Sequence, residues 1–171
     1  MLKFYLNTLD AMITLSSNST NSLNKIYFNN AIIKQLYHPV ENNKKINRDK
    51  SLEILNLDSK NQYLLHFGLI RKYKGLGLLI ESMTELTKKN KNLILLIVGE
   101  FYSEKNKYLK QINRLGLEKN IKIVDQYIEG NMINHWFSVA DVVIQPNKIS
   151  SQSGVTALSI SFEKKIVTTG T

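Results

Sequence analysis

The feature that most constrains this sequence is a series of short apolar runs, each followed by a turn and an amphipathic stretch. The six residues Leu93–Val98 are all apolar, as expected of a strand buried on both faces. Residues 75–89 carry apolar side chains at helical spacing, with Leu76, Ile80 and Met83 on one face. Strands that alternate with helices of this length predict βαβ units, and therefore a parallel sheet with helices on both faces.

The same reasoning predicts the order of elements along the chain. The predicted strands are residues 11–15, 32–36, 63–68, 93–98, 121–124, 142–145 and 166–169. The predicted helices are one capped by Ser16 or Ser17, then residues 49–55, 75–89, 103–115, 132–139 and 154–162. The polar, proline-containing stretch 38–47 is the best candidate for a linker.

Composition narrows the classes of partner. The chain has 171 residues, 43% of them apolar, which suits one domain, or one domain and a piece of another. It has no cysteine, which excludes disulfide and thiolate chemistry. It also has no apolar stretch of transmembrane length and no clear signal peptide, so a cytoplasmic location is predicted.

The formal net charge of +9 is open to several interpretations. It would suit nucleic acid, an anionic membrane surface or a phosphorylated ligand. The cations are dispersed among many Asn and Ile residues, so an AT-rich gene is an alternative source of the charge. Because no dense Lys/Arg block or interleaving of aromatic and basic residues is present, no nucleic-acid partner is predicted.

Candidate binding residues follow four of the predicted strands. Ligands of open α/β sheets bind beyond the carboxyl ends of the strands. The segments that would line this rim are residues 68–74, 99–101, 125–128 and 146–154.

The first of these segments carries cations beside the start of a helix. Arg71 and Lys74 lie between a predicted strand and the helix 75–89. The free N–H groups of a helix start and nearby cations together suit a phosphate or diphosphate, with arginine as a fork and lysine as a point charge. The alternative is an ordinary strand-to-helix loop whose cations are merely solvated.

The other segments supply complementary groups. Gly99 would let the chain approach a ligand closely, and Tyr127 and Ile128 would flank a base. Residues 150–154 are rich in small donors at a helix start, which suits sugar hydroxyls or a phosphate. A plain helix cap is the alternative explanation for one of these serines.

Several other kinds of site are not predicted. His38, His66 and His135 lack metal-ligand spacing and are predicted to lie in a linker, at a strand end and on a helix surface. Trp136 and Phe137 are predicted to be core residues. No arrangement for a Ser-His-Asp or Cys-His nucleophile is visible.

Five short motifs resemble, in their order and spacing, the donor-binding domain of GT-B glycosyltransferases of the family 4 (group 1) lineage. They are Phe67-Gly-Leu-Ile-Arg-Lys-Tyr-Lys-Gly-Leu76, Ile97-Val-Gly-Glu100, Asp125-Gln-Tyr-Ile128, Ala140-Asp-Val-Val143 and Gln152-Ser-Gly-Val155. Two further motifs resemble the end of that fold's N-terminal domain and the crossing into the second domain. They are Ala11-Met-Ile-Thr-Leu-Ser16 and Leu36-Tyr-His-Pro-Val40.

The resemblance implies an α/β fold with a Rossmann-like parallel sheet and helices on both faces, preceded by a βαβ remnant of another domain. Residues 1–40 would be the end of the N-terminal, acceptor-side domain, and residues 41–50 a linker. Residues 51–171 would be the donor-binding domain, incomplete at its C-terminal end.

The resemblance also implies a reaction. A sugar would pass from a nucleotide-diphosphate sugar to an acceptor, usually with retention of anomeric configuration and without a metal or other cofactor. Arg71 and Lys74 would hold the diphosphate and stabilise the charge of the leaving group. The other expected donor-binding residues are Gly68, Gly99, Tyr127, Ile128, Ser151, Gln152, Ser153 and Gly154.

The sequence departs from the family pattern in two places. The family's arginine usually lies nearer Leu69, and Arg71 is an offset substitute. The family's two glutamates, which contact the sugar and the ribose, would fall near Ser151 and Ser159, neither of which is acidic. Gln152 would replace the sugar contact.

Three hypotheses follow from this pattern. The first is a fragment or split-gene piece of a glycosyltransferase, inactive alone. A separate chain would supply its acceptor domain, and it would contact an anionic membrane peripherally. The second is a degenerate, non-catalytic protein or interaction module of the same fold. The third is a nucleotide-sugar epimerase, which shares the architecture.

Overall fold

Seven strands are sorted into two parallel sheets in the computed structural model, which describes residues 8–26, 32–39, 46–148 and 153–169. The smaller sheet is one βαβ unit near the N-terminus. Its elements are β1 (Ala11–Thr14), α1 (Ser17–Ile26) and β2 (Ile32–Gln35). The Ser16 hydroxyl oxygen accepts the Ser19 N–H at 3.1 Å, which caps α1 as predicted.

The larger sheet has five parallel strands in the order β5-β4-β3-β6-β7. Its strands are β3 (Gln62–Phe67), β4 (Leu93–Val98), β5 (Ile121–Val124), β6 (Val142–Gln145) and β7 (Lys165–Thr168). Its helices are α2 (Arg48–Ile54), α3 (Leu76–Lys89), α4 (Lys105–Arg114), α5 (Gly130–Val139) and α6 (Gly154–Ser161). The predicted α/β fold with a parallel sheet is confirmed.

Apolar clusters cover both faces of the larger sheet. Alternate residues of β4 enter different clusters: Leu95 packs with α3 and α4, whereas Leu96 packs with α2 and α5. Trp136 and Phe137 are buried, as predicted, and the Phe137 ring stacks on Phe162 with 5.0 Å between centroids. Because both faces are covered, the functional groups can reach a ligand most directly from the ends of the strands.

The boundaries of three strands match the prediction: β4, β5 and β6. The structure corrects the start of the helix after β3. A short 3₁₀ helix, Lys72–Lys74, intervenes, and Gly75 has a left-handed backbone with φ of +69°. The α-helix therefore begins at Leu76, one residue later than predicted.

The order of strands reverses beside β3. The chain runs from β3 through β4 to β5 on one side, then returns through α5 to β6 on the other side of β3. In open α/β sheets, ligands bind at such a reversal, beyond the carboxyl ends of the strands. The β3–β6 switch point is therefore the place to look for a ligand. Within the described ranges, no helix is long and apolar enough to cross a membrane.

Candidate functional site

Lys74 points back towards the end of β3. Its Nζ donates a hydrogen bond to the Phe67 carbonyl oxygen at 3.3 Å and would lie 3.1 Å from a Cβ placed on Gly68. Partial burial lowers the pKa of Lys74, and the positive charge of Arg71 lowers it further. An ammonium group has three N–H donors, so the contact with Phe67 leaves donors for an anion at the switch point.

Arg71 lies at the outer side of the same loop. Its guanidinium carbon is 4.9 Å from the centre of the exposed Tyr102 ring, a cation–π arrangement. Its charge also reaches Lys74, as the pKa of that lysine shows. The structure therefore places Lys74 beside Gly68 and Arg71 on the Tyr102 ring, both in the loop after β3.

The loops after β3 and β6 are in direct contact. A Cβ added to Gly75 would lie 2.0 Å from the Pro146 carbonyl oxygen, so only glycine fits there. The Tyr73 carbonyl accepts the Lys148 N–H at 2.8 Å. These contacts hold the two loops against each other at the switch point.

The loops after β3 and β4 are equally close. A Cβ on Gly99 would lie 2.3 Å from the Gly68 carbonyl oxygen, and φ of Gly99 is +135°. Beyond the strands, the Ile70 N–H donates to the Glu100 carbonyl at 2.8 Å. The close approach that Gly99 permits is thus to neighbouring backbone, and its predicted contact with a ligand stays a prediction.

The start of α6 lies at the switch point. Val155 Cγ2 would be 3.4 Å from a Cβ on Gly68, the same position that the Lys74 ammonium approaches. Ser153 holds the N-cap position of α6 but makes no capping bond; its hydroxyl donates to Gln145 Oε1 at 2.8 Å instead. The simple cap explanation is therefore wrong for Ser153. Gln145 Nε2 is buried without a partner in the described part of the chain.

Two predicted site residues, Ser151 and Gln152, lie outside the described residues. Ser159, near which the family's second glutamate would fall, is fully buried. Its hydroxyl donates to the Val155 carbonyl at 2.6 Å, within its own helix. A ribose contact from Ser159 is therefore not available in this arrangement.

The loop after β5 forms the far end of the rim. The Tyr127 ring is 79% exposed, whereas Ile128 packs in the core, so Tyr127 is the side chain of this pair that a base can reach. Asp125 accepts the Phe101 N–H at 2.9 Å and pairs with Lys105 at 2.7 Å. Lys105 lowers the pKa of Asp125. The base contact itself stays a prediction.

Two histidines make contacts that the sequence did not predict. His66 lies near the end of β3, as predicted, but is buried: its Nδ1 donates to the Ile144 carbonyl at 3.1 Å, and burial lowers its pKa to about 4. His38 lies in the segment after β2, and its Nε2 lies 3.1 Å from the position of a Cβ on Gly154. His38 follows the end of β2, a position that could have signalled a role at a strand end.

Within the described ranges, no three His, Cys, Asp or Glu side chains cluster in a way that could hold a metal ion. The expectation of metal-free chemistry is not tested by that finding.

The sequence matches one protein-family model and several characterised proteins. Residues 47–158 match the model described as Glycosyl transferases group 1. The GDP-mannose:glycolipid 4-beta-D-mannosyltransferase of Xanthomonas campestris pv. campestris is 29% identical over 104 residues, which cover 61% of this chain and 29% of that enzyme. Protein CapJ of Staphylococcus aureus is 29% identical over 96 residues, covering 54% of this chain and 24% of CapJ.

Solved structures share the fold. WaaG, a glycosyltransferase involved in lipopolysaccharide biosynthesis, superposes with a TM-score of 0.79 at 17% identity, covering 91% of this chain and 43% of WaaG. Anabaena HepE in complex with UDP-glucose gives a TM-score of 0.78 at 17% identity, covering 98% of this chain and 49% of HepE. The chain thus spans less than half the length of these relatives. Since the family model matches well over half of the chain, the chain belongs to the group 1 glycosyl transferases, with the GT-B fold.

Proposed function

We propose that this chain is the donor-binding part of a glycosyltransferase that uses a nucleotide-diphosphate sugar. One observation carries the proposal: the Lys74 ammonium and Val155, the second residue of α6, both lie beside Gly68 at the β3–β6 switch point. A cation beside the first turn of a helix is suited to a diphosphate. The complex of HepE with UDP-glucose supports this choice of ligand.

The proposed chemistry is electrostatic. The bond between the anomeric carbon and the β-phosphate oxygen breaks, and its electron pair leaves with the diphosphate. Lys74 and Arg71 stabilise the negative charge that grows there. The acceptor hydroxyl forms the new bond to the anomeric carbon, and its proton passes to the departing diphosphate. Retention of configuration and independence from metal are parts of the proposal that rest on the family resemblance.

The donor would lie across the rim of the sheet. Tyr127 offers an exposed ring for the base at the β5 end, while Lys74 holds the diphosphate beside β3. Since Ser159 is turned into its own helix, the ribose loses one expected contact. We therefore expect weak donor binding by the chain alone.

The same serine favours a second candidate, a non-catalytic protein of this fold. A chain that has lost donor recognition would bind no nucleotide at all, which separates the two candidates.

As the sequence suggested, we propose that a separate chain supplies the acceptor domain. Peripheral contact with anionic lipid also stays a proposal.

Isothermal titration calorimetry of the 171-residue chain with UDP, GDP, UDP-glucose and GDP-mannose tests the proposal. We expect at least one of them to bind, and Lys74→Ala to weaken that binding by roughly tenfold or more, because a charged hydrogen-bond donor to the diphosphate is lost. Lys72→Ala is the matched control, since Lys72 lies exposed in the same 3₁₀ turn.

Two results would contradict the proposal: no binding of any probe by a folded sample, or equal losses from Lys74→Ala and Lys72→Ala. Turnover of a nucleotide sugar without any acceptor, followed by NMR, would instead identify an epimerase.

A further inference from the structure

His38 lies against the N-terminal end of α6, although it belongs to the segment that follows β2. Three atoms of its ring face Gly154: Nε2, Cε1 and Cδ2 would lie 3.1, 3.5 and 3.9 Å from a Cβ on that glycine. The larger sheet does not contain β2. A residue from outside the five-stranded sheet therefore completes the rim beside the switch point.

The contact made by Nδ1, the other ring nitrogen of His38, determines whether Nε2 donates or accepts a hydrogen bond. Nδ1 lies 3.2 Å from the Pro39 carbonyl oxygen, and a carbonyl oxygen can only accept a hydrogen bond. Nδ1 therefore carries the hydrogen, and Nε2 of the neutral ring has a lone pair that accepts. Among the described residues, none donates a hydrogen bond to this nitrogen. Nε2 is thus a hydrogen-bond acceptor beside the start of α6.

The order of groups along the rim matches the order of groups in a nucleotide sugar. Tyr127 follows β5, Lys74 follows β3, and Gly154 with His38 lies beyond β6. Three strand spacings separate β5 from β6, roughly 14 Å. A base at the β5 end and a diphosphate at Lys74 would leave the sugar on the β6 side, where His38 is.

From this placement we infer that His38 binds the sugar of the donor. Its Nε2 accepts a hydrogen bond from a sugar hydroxyl. The inference rests on the proposed function and deepens it. Sugar hydroxyls are donors that a neutral imidazole can accept, whereas a fully ionised diphosphate offers only acceptors. His38 should therefore contribute to binding of the nucleotide sugar and not to binding of the nucleotide diphosphate.

The test compares each nucleotide sugar with its diphosphate by calorimetry, using UDP-glucose against UDP and GDP-mannose against GDP. His38→Ala should lower the affinity for the nucleotide sugar that binds by roughly two- to tenfold, the effect of one neutral hydrogen bond. The affinity for the corresponding nucleotide diphosphate should be unchanged. His38→Gln should retain most of the affinity because its amide oxygen can accept. Tyr37→Ala is the control, since Tyr37 is 83% exposed in the same segment.

The outcomes separate this inference from the proposed function. If folded wild-type chain binds none of the four probes, both are overturned. If diphosphates bind but nucleotide sugars bind no tighter, or if His38→Ala weakens both alike or neither, only the role of His38 is overturned. Circular dichroism of each variant shows that the fold is retained, so a loss of binding cannot be mistaken for unfolding.

Discussion

Gly75→Ala is the most informative single change at the switch point. The substitution acts in two ways. Alanine must adopt a left-handed backbone at φ of +69°, and its methyl group would lie 2.0 Å from the Pro146 carbonyl oxygen. That oxygen belongs to backbone, so the overlap is relieved only if the loops after β3 and β6 move apart.

Gly116→Ala separates these two effects. Gly116 has nearly the same φ, +65°, but no atom lies within 4 Å of a Cβ placed there. The left-handed backbone costs an alanine about 1 kcal/mol at either position. In Gly75→Ala, the overlap with Pro146 adds about 2 kcal/mol to this cost, as overlap in a packed site does. We therefore expect the free energy of unfolding to fall by about 3 kcal/mol in Gly75→Ala and by about 1 kcal/mol in Gly116→Ala.

Urea denaturation followed by tryptophan fluorescence measures the difference. The single tryptophan, Trp136, is buried, so its emission reports unfolding of the larger sheet. With a slope of about 2 kcal/mol per molar urea, the midpoint should fall by about 1.5 M in Gly75→Ala and by about 0.5 M in Gly116→Ala. Gly75→Ala should also abolish donor binding. Equal midpoints in the two variants would refute the reasoning, because the contact with Pro146 would then cost nothing.

Further predictions concern the rim and the buried histidine. Between pH 6.5 and about 4, wild-type chain should lose roughly 3 kcal/mol more stability than His66→Gln. The reason is that the unfolded chain binds a proton which the buried ring excludes; parallel stability profiles for the two proteins would contradict this. Tyr102→Ala should weaken diphosphate binding roughly two- to fivefold through lost cation–π contact with Arg71, and calorimetry should show no such effect in an Arg71→Ala background. Asp125→Ala should speed hydrogen exchange of the Phe101 amide, measured by NMR, because that N–H loses its acceptor; unchanged exchange would show that the bond does not hold the loop.

The fold was predictable from the sequence where burial alone decides structure. The strand Leu93–Val98 is apolar throughout because both of its faces are covered, and its boundaries match the prediction. The helix after β3 was displaced by one residue because Gly75 takes a left-handed conformation. No periodicity reports such a turn. The contact that leaves room only for glycine there is with Pro146, more than seventy positions away in the sequence.

The site was predictable only in part, for the same reason. The rule that ligands lie beyond the carboxyl ends of strands singled out the loop that holds Arg71 and Lys74, and their role in binding stays a prediction. The role of Gly99 was not predictable, because its missing side chain makes room for Gly68. The contact of His38 with Gly154 was not predictable, because Gly154 is more than a hundred residues further along the chain.

The contacts among the loops bear on how the donor binds. Gly75 packs against Pro146, Gly99 packs against Gly68, and the Asp125 carboxylate accepts a hydrogen bond from the loop after β4. Contacts within the protein therefore fix the loops of the rim from β5 to β6. Because these contacts form when the chain folds, a ligand has less of the site to order when it binds. Lys74 is partly buried and held by the Phe67 carbonyl, whereas Arg71 is exposed and contacts only the exposed Tyr102 ring among the described contacts, and Tyr127 is exposed as well. It follows that Lys74 should contribute more to diphosphate affinity than Arg71, although the two carry the same charge.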